Sequence, residues 1–354
     1  MTYSLTTLVV RRAVAGLAIL LGVAAPAVAG AQKARAASYH VTQRIPLGGE
    51  GGWDYIAVDT ARGRLFIARS DRVMVVDQTS GKIVGEIPGL DRGHGVAFAY
   101  TTNHGFATSG ADSMVTMFDL GTLAVLKKTM VGVDDDALLY DPVAKRIFTF
   151  NGDANTASVL DPSSGDLAGT IPLGGKPESG VTDGAGTIYI NIADKGEIVE
   201  VNGPAMKVVR RWSIAPCEDN SGIALDKAHE RLFSVCGNKL MAVSDTRRGK
   251  LVKTLPIGEG VDAAAYDAAT GLAFASNGAG TMTVVHEDGP NKYRVISTVT
   301  TMPGARTMTL DPKSHRVYTV SAKAGPMPAA APGQTGRRRA PMIPGSFTLL
   351  VLER

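Results

Sequence analysis

The chain has 354 residues, 44% of them hydrophobic and 20% charged, with a formal net charge of only +4. That balance excludes a disordered polyelectrolyte, and 41 glycines favour many turns over long helices. Part of the positive excess sits at Arg11, Arg12 and at Arg337, Arg338 and Arg339, with no basic stripe between them, so no nucleic-acid partner is expected.

At the N-terminus, Arg11 and Arg12 precede the apolar run AVAGLAILLGVAAPAVA, which Gly16, Gly22 and Pro26 interrupt. Ala27-Val28-Ala29 offers a small-x-small cleavage site, and a second follows Ala34-Arg35-Ala36. A cleaved secretion signal over 1–29 is therefore expected, with the cut between 29 and 37. A retained anchor fits the broken apolar run less well. No later segment has the composition of a membrane span, so the mature chain is expected to be exported and soluble, without a membrane partner.

Seven copies of one pattern follow. YIAVDTARGRLFIARS from Tyr55 aligns with LLYDPVAKRIFTFNG from Leu138, IALDKAHERLFSVCG from Ile223, AAYDAATGLAFASNG from Ala264 and MTLDPKSHRVYTVSA from Met308. Two degenerate copies, VAFAYTTNHGFATSG from Val96 and GVTDGAGTIYINIA from Gly180, fill the gaps. The anchor positions Asp59, Ala99, Asp141, Asp183, Asp226, Asp267 and Asp311 are spaced by 40, 42, 42, 43, 41 and 44 residues. Each copy is an apolar strand, an Asp-led turn and an apolar-aromatic strand. A third, alternating strand (RVMVVD, MVTMFD, TASVLD) and a fourth (IVGEI, LAGTIPL) follow. Period-two alternation bounded by turn residues predicts strands throughout. Four strands per copy of this length predict an all-β, seven-bladed β-propeller of antiparallel blades, one domain over 39–354. The last copy ends after three strands with SFTLLVL, whereas TQRIPLGG at 42–49 matches AGTIPLGG from Ala168. The N-terminal strand is thus predicted to complete blade 7 and close the ring.

Cys217 and Cys236 flank the first two strands of blade 5, and in an exported chain the pair predicts a disulfide rather than a metal site. The Ala-, Pro-, Gly- and Arg-rich stretch 323–345 reads as a loop insertion in blade 7, placed to act as a lid.

Five residues before each anchor stand Asp54, His94, Asp136, Glu178, Ser221, Asp262 and Arg306, six of the seven ionisable. Propeller symmetry would gather them, just ahead of the inner strands, around one channel mouth. Arg306 would pair with Asp54 and Asp262 and lower their pKa values. His94, Asp136 and Glu178 face no evident cation, which predicts either a held proton or a bound divalent ion (Ca²⁺, Mg²⁺ or Mn²⁺) on Asp136 and Glu178. Asp134, Asp135, Glu218 and Asp219 add further acid. Arg69, Asn151, Asn191, Asn238 and Asn277 would form a polar outer ring, with Trp53 and Tyr55 as one aromatic patch. His40, His104, His229, His286 and His315 fall on strand ends or outer turns and are read as structural. The chain lacks GxSxG, P-loop, dinucleotide, HExxH and CxxCH motifs, so no NAD, nucleotide or haem cofactor is expected.

The repeat, with its Asp-Pro turn and Arg-(Leu/Ile/Val)-(Phe/Tyr) second strand, and the VVDQTSGKIVGEIP half-repeat resemble the YVTN-type β-propeller repeat family, specifically exported YncE-like proteins. The resemblance implies a seven-bladed fold in the periplasm and leaves the chemistry open. Two readings stand. One is a metal-assisted hydrolase or lyase acting on a lactone or sugar derivative, with His94 and Arg306 catalytic, Asp136 and Glu178 holding the metal, and Trp53, Asp54, Tyr55, Ser221 and Asp262 lining the substrate. The other is a non-catalytic propeller that holds a small ligand or a periplasmic protein partner on the same face. A single-domain chain makes a monomer the expectation.

Overall fold

A computed structural model describes residues 38–327 and 340–354, together with Leu8. The signal expected over 1–29 and the arginines at 337–339 lie outside the described residues. From Ser38 onward the chain is one unit of seven four-stranded antiparallel sheets. Blade 1 runs outward from the axis as Trp53–Asp59, Arg64–Arg69, Arg72–Asp77 and Ile83–Pro88, and the other blades repeat it. Blade 7 is built from Met308–Asp311, Arg316–Ser321, Thr348–Glu353 and the N-terminal strand His40–Pro46. The ring closes as expected, so no blade keeps an unpaired circular edge. The closing strand begins two residues earlier than the repeat alignment suggested.

The recurrent Asp has a local cause. Asp59 Oδ1 accepts the backbone N–H groups of Ala61 and Arg62, both at 3.1 Å. Asp141, Asp226, Asp267 and Asp311 cap their turns the same way. A buried carboxylate thus satisfies turn donors that would otherwise go unpaired. At the degenerate Ala99 the Thr102 hydroxyl donates to the Ala99 carbonyl instead. The recurrent aromatic fills the space between blades: Phe66, Phe106, Phe148, Phe233, Phe274 and Tyr318 are almost wholly buried, and Tyr189 nearly so. Each contributes about 1.5–3 kcal/mol by leaving water. The Cys217–Cys236 disulfide forms, with Cα atoms 5.4 Å apart. It is buried against Trp212 and Ile214.

Candidate functional site

The seven ring positions do come together, but not just ahead of the strands. In blades 1 to 6 each is the second residue of the inner strand, and only Arg306 precedes its strand. Every one of those six strands has a register shift there. In blade 1, Trp53 pairs with Arg69 and Ile56 with Ile67, so Asp54 and Tyr55 together oppose a single residue. The same extra residue occurs at His94, Asp136, Glu178, Ser221 and Asp262. A bulge bends the strand and re-aims the extra side chain. Here it turns each ring residue toward the axis.

On the blade 1–3 side, His94 Nδ1 lies 2.5 Å from Asp54 Oδ2 and 3.2 Å from Asp136 Oδ1. Arg92 Nε donates to His94 Nε2 at 3.0 Å. That contact makes Nε2 the acceptor, which leaves the imidazole proton on Nδ1 facing the carboxylates. These three residues can each offer one ligand atom, and those three atoms all lie within 4.8 Å of one another. Asp136 Oδ1 is buried and makes no hydrogen bond, and neither does the buried Ser221 Oγ. Burial, then the nearby Asp54 and Glu178, push the Asp136 carboxyl well above its usual range. Burial also raises Glu178, against the pull of Lys176.

Toward blades 6 and 7, Arg306 Nε sits 2.8 Å from Asp262 Oδ2, and its Nη2 donates to Asp54 Oδ1 at 3.5 Å. The expected pairing is present, but its expected effect on Asp262 is reversed. Burial and the Asp54 charge outweigh the guanidinium and push Asp262 up to about 7. Asp135, behind the ring, is likewise pushed up to about 7 by burial.

The acidic arc is not without cations, contrary to expectation. Arg92 pairs with Asp134, and Lys176 lies 3.6 Å from Asp134 and 3.7 Å from Asp153. Arg92, Asp134, Lys176 and Asp219 stand two residues before ring positions, a second register that the repeat alignment could have supplied. Arg92, Asp134 and Asp219 hold left-handed backbone (φ 57°, 60° and 47°), where blades 6 and 7 have Gly260 and Gly304. Charged side chains are therefore placed at a backbone position that favours glycine. After these pairings, Asp136 and Glu178 remain the ring carboxylates without a direct cationic contact among the described residues.

The outer polar ring is corrected. Arg69, Asn151, Asn191 and Asn277 are fully buried. Asn191 Nδ2 donates to the carbonyls of Ser221 and Gly222, and Arg69 donates to those of Glu50, Gly51 and Gly52. Those two hold backbone in place because a buried carbonyl needs a donor, whereas Asn151 donates to the hydroxyls of Thr156 and Ser158 and Asn277 to those of Thr281 and Thr283. Asn238 is half-buried and donates to the Pro216 carbonyl. The aromatic patch divides as well, because the bulge between Trp53 and Ile56 breaks the alternation that would put Trp53 and Tyr55 on one side. Trp53 packs on Phe347 with ring centroids 5.5 Å apart. Tyr55 instead lies in the channel, packed toward blades 3 and 4. The residues level with it are Gly95, Ala137, Ser179, Gly222, Ala263 and Thr307, all small enough to admit one phenol. Burial and the four surrounding ring carboxylates hold that phenol protonated.

Beside the mouth, between blades 7 and 1, is a cavity of about 1040 Å³. Trp53, Met302, Pro303, Met342 and Ile343 form much of its wall, and Arg306 and Lys323 bring charge to it. The described parts of the insertion form a short antiparallel flap through an Ala324–Met342 bridge. Gly325 N–H donates to the Pro341 carbonyl and Ile343 N–H to that of Lys323. The flap flanks this cavity.

A second group of the same composition, Asp226, His229 and Glu287, lies at the turn that follows the inner strand of blade 5. His229 Nδ1 is 2.6 Å from Asp226 Oδ2 and 3.4 Å from Glu287 Oε1. Tyr266 donates to Glu287 Oε2 at 2.7 Å, and Asp226 Oδ1 accepts from Ala228 N–H. No buried oxygen of this group lacks a partner.

No family model and no curated protein matches the chain. Among solved structures it is similar to the Kuenenia stuttgartiensis hydrazine synthase, at 15% identity and a TM-score of 0.69, covering 79% of this chain and 94% of that one. It is also similar to U3-55K (9% identity, TM-score 0.72, 89% and 99% covered) and to the WD40 repeats of RRP9 (10%, 0.71, 87% and 97%). At these identities the likeness is one of fold. No helix among the described residues is long and apolar enough to cross a membrane.

Proposed function

We propose that this is an exported, periplasmic propeller of the YVTN and YncE-like type whose channel mouth binds one divalent cation and uses it on a small oxygenated substrate, in a hydrolysis or an elimination. The observation that carries the reading is the buried, unbonded Asp136 Oδ1, which shares His94 Nδ1 with Asp54 Oδ2. Unpaired buried carboxylate is costly, and either a proton or a cation relieves it. Two carboxylate oxygens and one imidazole nitrogen suit Ca²⁺, Mg²⁺ or Mn²⁺. The ligand set differs from the sequence expectation: Asp54 and His94 join Asp136, and Glu178 supplies field rather than a member of the three-atom group. The cation would supply Lewis acidity toward a substrate oxygen.

The chain's own residues would do the rest. His94 would serve as a ligand through Nδ1, in the tautomer that carries its proton on Nε2 and gives up the Arg92 contact. Asp262, titrating at about 7, is the carboxyl matched to moving a proton at neutral pH. Arg306 holds Asp54 and Asp262 in position and offers N–H donors to a substrate oxygen. Calorimetric titration of chelator-treated protein with Ca²⁺, Mg²⁺ and Mn²⁺ tests this. One site per chain that Asp136→Asn abolishes is expected, together with ester or lactone turnover that Asp262→Asn slows. Absence of any cation binding would remove the reading. A protein that binds cation and ligand without turnover would be the non-catalytic ligand-holding propeller instead, a reading favoured by the cavity's position beside the acidic arc.

A further inference from the structure

The cavity between blades 7 and 1 makes a statement about ligand chemistry that the acidic arc does not. Its volume, about 1040 Å³, is at the upper end of small-molecule sites. Its walls are apolar and partly rigid: the Trp53 indole, two prolines and the Met342–Ile343 edge of the flap. Gly304 (φ 84°) borders the indole in a left-handed conformation that favours glycine. A Cβ at that position would stand 3.0 Å from Ser321 Oγ and 3.5 Å from Trp53 Cζ2. An indole face bordered by prolines and thioethers favours a flat, ring-bearing body.

Arg306, Lys323 and Glu50 are the charged residues of the wall, and the Arg306 charge is already met. Asp262 lies at 2.8 Å and Asp54 at 3.5 Å, so a carboxylate ligand would have to displace one of them. It would also approach Asp136 and Glu178. Yet Asp262 and Asp54 engage only Nε and Nη2, and Nη1 has no hydrogen-bond partner among the described residues. A guanidinium that is neutralised but still has free donors selects an oxygen that accepts hydrogen bonds without carrying charge. From this we infer that the cavity receives the apolar, ring-bearing body of a neutral carbonyl compound, with the carbonyl oxygen on Arg306. This inference deepens the proposed function: it depends on that reading for the fate of the carbonyl but not for where the body binds.

The test uses the full chain carrying Trp212→Phe. Trp212 is buried in blade 4, so Trp53 is left as the only indole reporter. Three probes of nearly one shape are titrated: 2-acetonaphthone, the 2-naphthoate ion and 2-ethylnaphthalene. The ketone is expected to quench Trp53 and to bind about tenfold or more tightly than either the anion or the hydrocarbon. Ile343→Asp, at an exposed flap position, should weaken the ketone about tenfold without unfolding the protein. Arg306→Gln should reduce ketone affinity to that of the hydrocarbon and leave the hydrocarbon unchanged. Naphthoate binding as tightly as the ketone would overturn the assignment of a neutral head. Ketone affinity unmoved by Ile343→Asp would overturn the location. Calorimetric titration of the same protein with divalent cation separates the two claims. Retained ketone binding with no cation site in the parent protein would leave this inference standing and defeat the cation reading, and lost ketone binding with an intact cation site would do the reverse.

Discussion

Two groups in this propeller have the same ingredients, an aspartate, a histidine and a further acid, and differ in what is left over. At Asp226, His229 and Glu287 every buried oxygen is used by a tyrosine, a turn N–H or the imidazole. At Asp54, His94 and Asp136 one carboxylate oxygen is buried without a bond, with more acid around it than cation. The first arrangement stabilises the fold, and the second costs the fold something that a ligand can return. Composition and proximity are alike in both, so neither marks a site by itself. The unsatisfied charge does.

The sharpest way to break this contrast is to neutralise one acid in each group. Asp136→Asn should lower cation affinity by about a hundredfold or more, since it removes a direct ligand. Glu287→Gln should leave that affinity within about twofold, measured by the same calorimetric titration. Equal losses would make the two groups equivalent and end the distinction.

Stability should move oppositely to binding. Asp226→Asn removes the acceptor of the Ala228 N–H and of the His229 proton, and should cost about 1–3 kcal/mol in urea unfolding. Metal-free Asp136→Asn at pH 8 should instead gain about 1 kcal/mol, because it deletes a charge held against burial and its neighbours. A loss there would mean that Asp136 is structural after all.

Acidity offers a third test. Asp136 and Asp262 both titrate higher in the fold than the ~3.9 of an unfolded aspartate. The folded chain therefore keeps protons that the unfolded chain releases, and the stability this provides is complete below about pH 4 and lost as pH rises through the raised folded values, about 7 for Asp262. The metal-free protein should lose a few degrees in melting temperature across that interval, on the order of 2–4 °C per kcal/mol for a domain of this size. Divalent cation should restore it most at the alkaline end. His229, raised chiefly by its hydrogen bond to Asp226, contributes stability present below its unfolded value near 6.5 and lost above its raised folded value. That loss should ignore the cation, which separates the two groups within one pH series.

The smallest effect concerns Arg92. Its side chain covers His94 Nε2 and adds positive charge beside the arc, although it is largely exposed. Arg92→Ala should raise cation affinity about threefold, as expected for losing an exposed like-charge repulsion. A weakening would show that Arg92 orients His94 for its ligand.

The blade count, the four-strand unit, the closing N-terminal strand and the cysteine pair were all readable in the chain. Each rests on a local rule repeated about every 42 residues: alternation, an Asp-capped turn and one aromatic per second strand. The ring positions were readable too, because the same register carries them. The sequence did not reveal where those side chains point, since a bulge at each ring residue appears only once the strands have paired. Nor did it reveal that Arg69 and Asn191 are buried backbone clamps, that Trp53 and Tyr55 part company, or that Arg92 covers His94. Those facts depend on how the bulged inner strands and their neighbouring blades pack into one low-dielectric space. Periodicity specifies hydrogen bonds and burial within a repeat, whereas the charge balance at the axis and the cavity beside it arise only when seven repeats and the flap of the last one close around them.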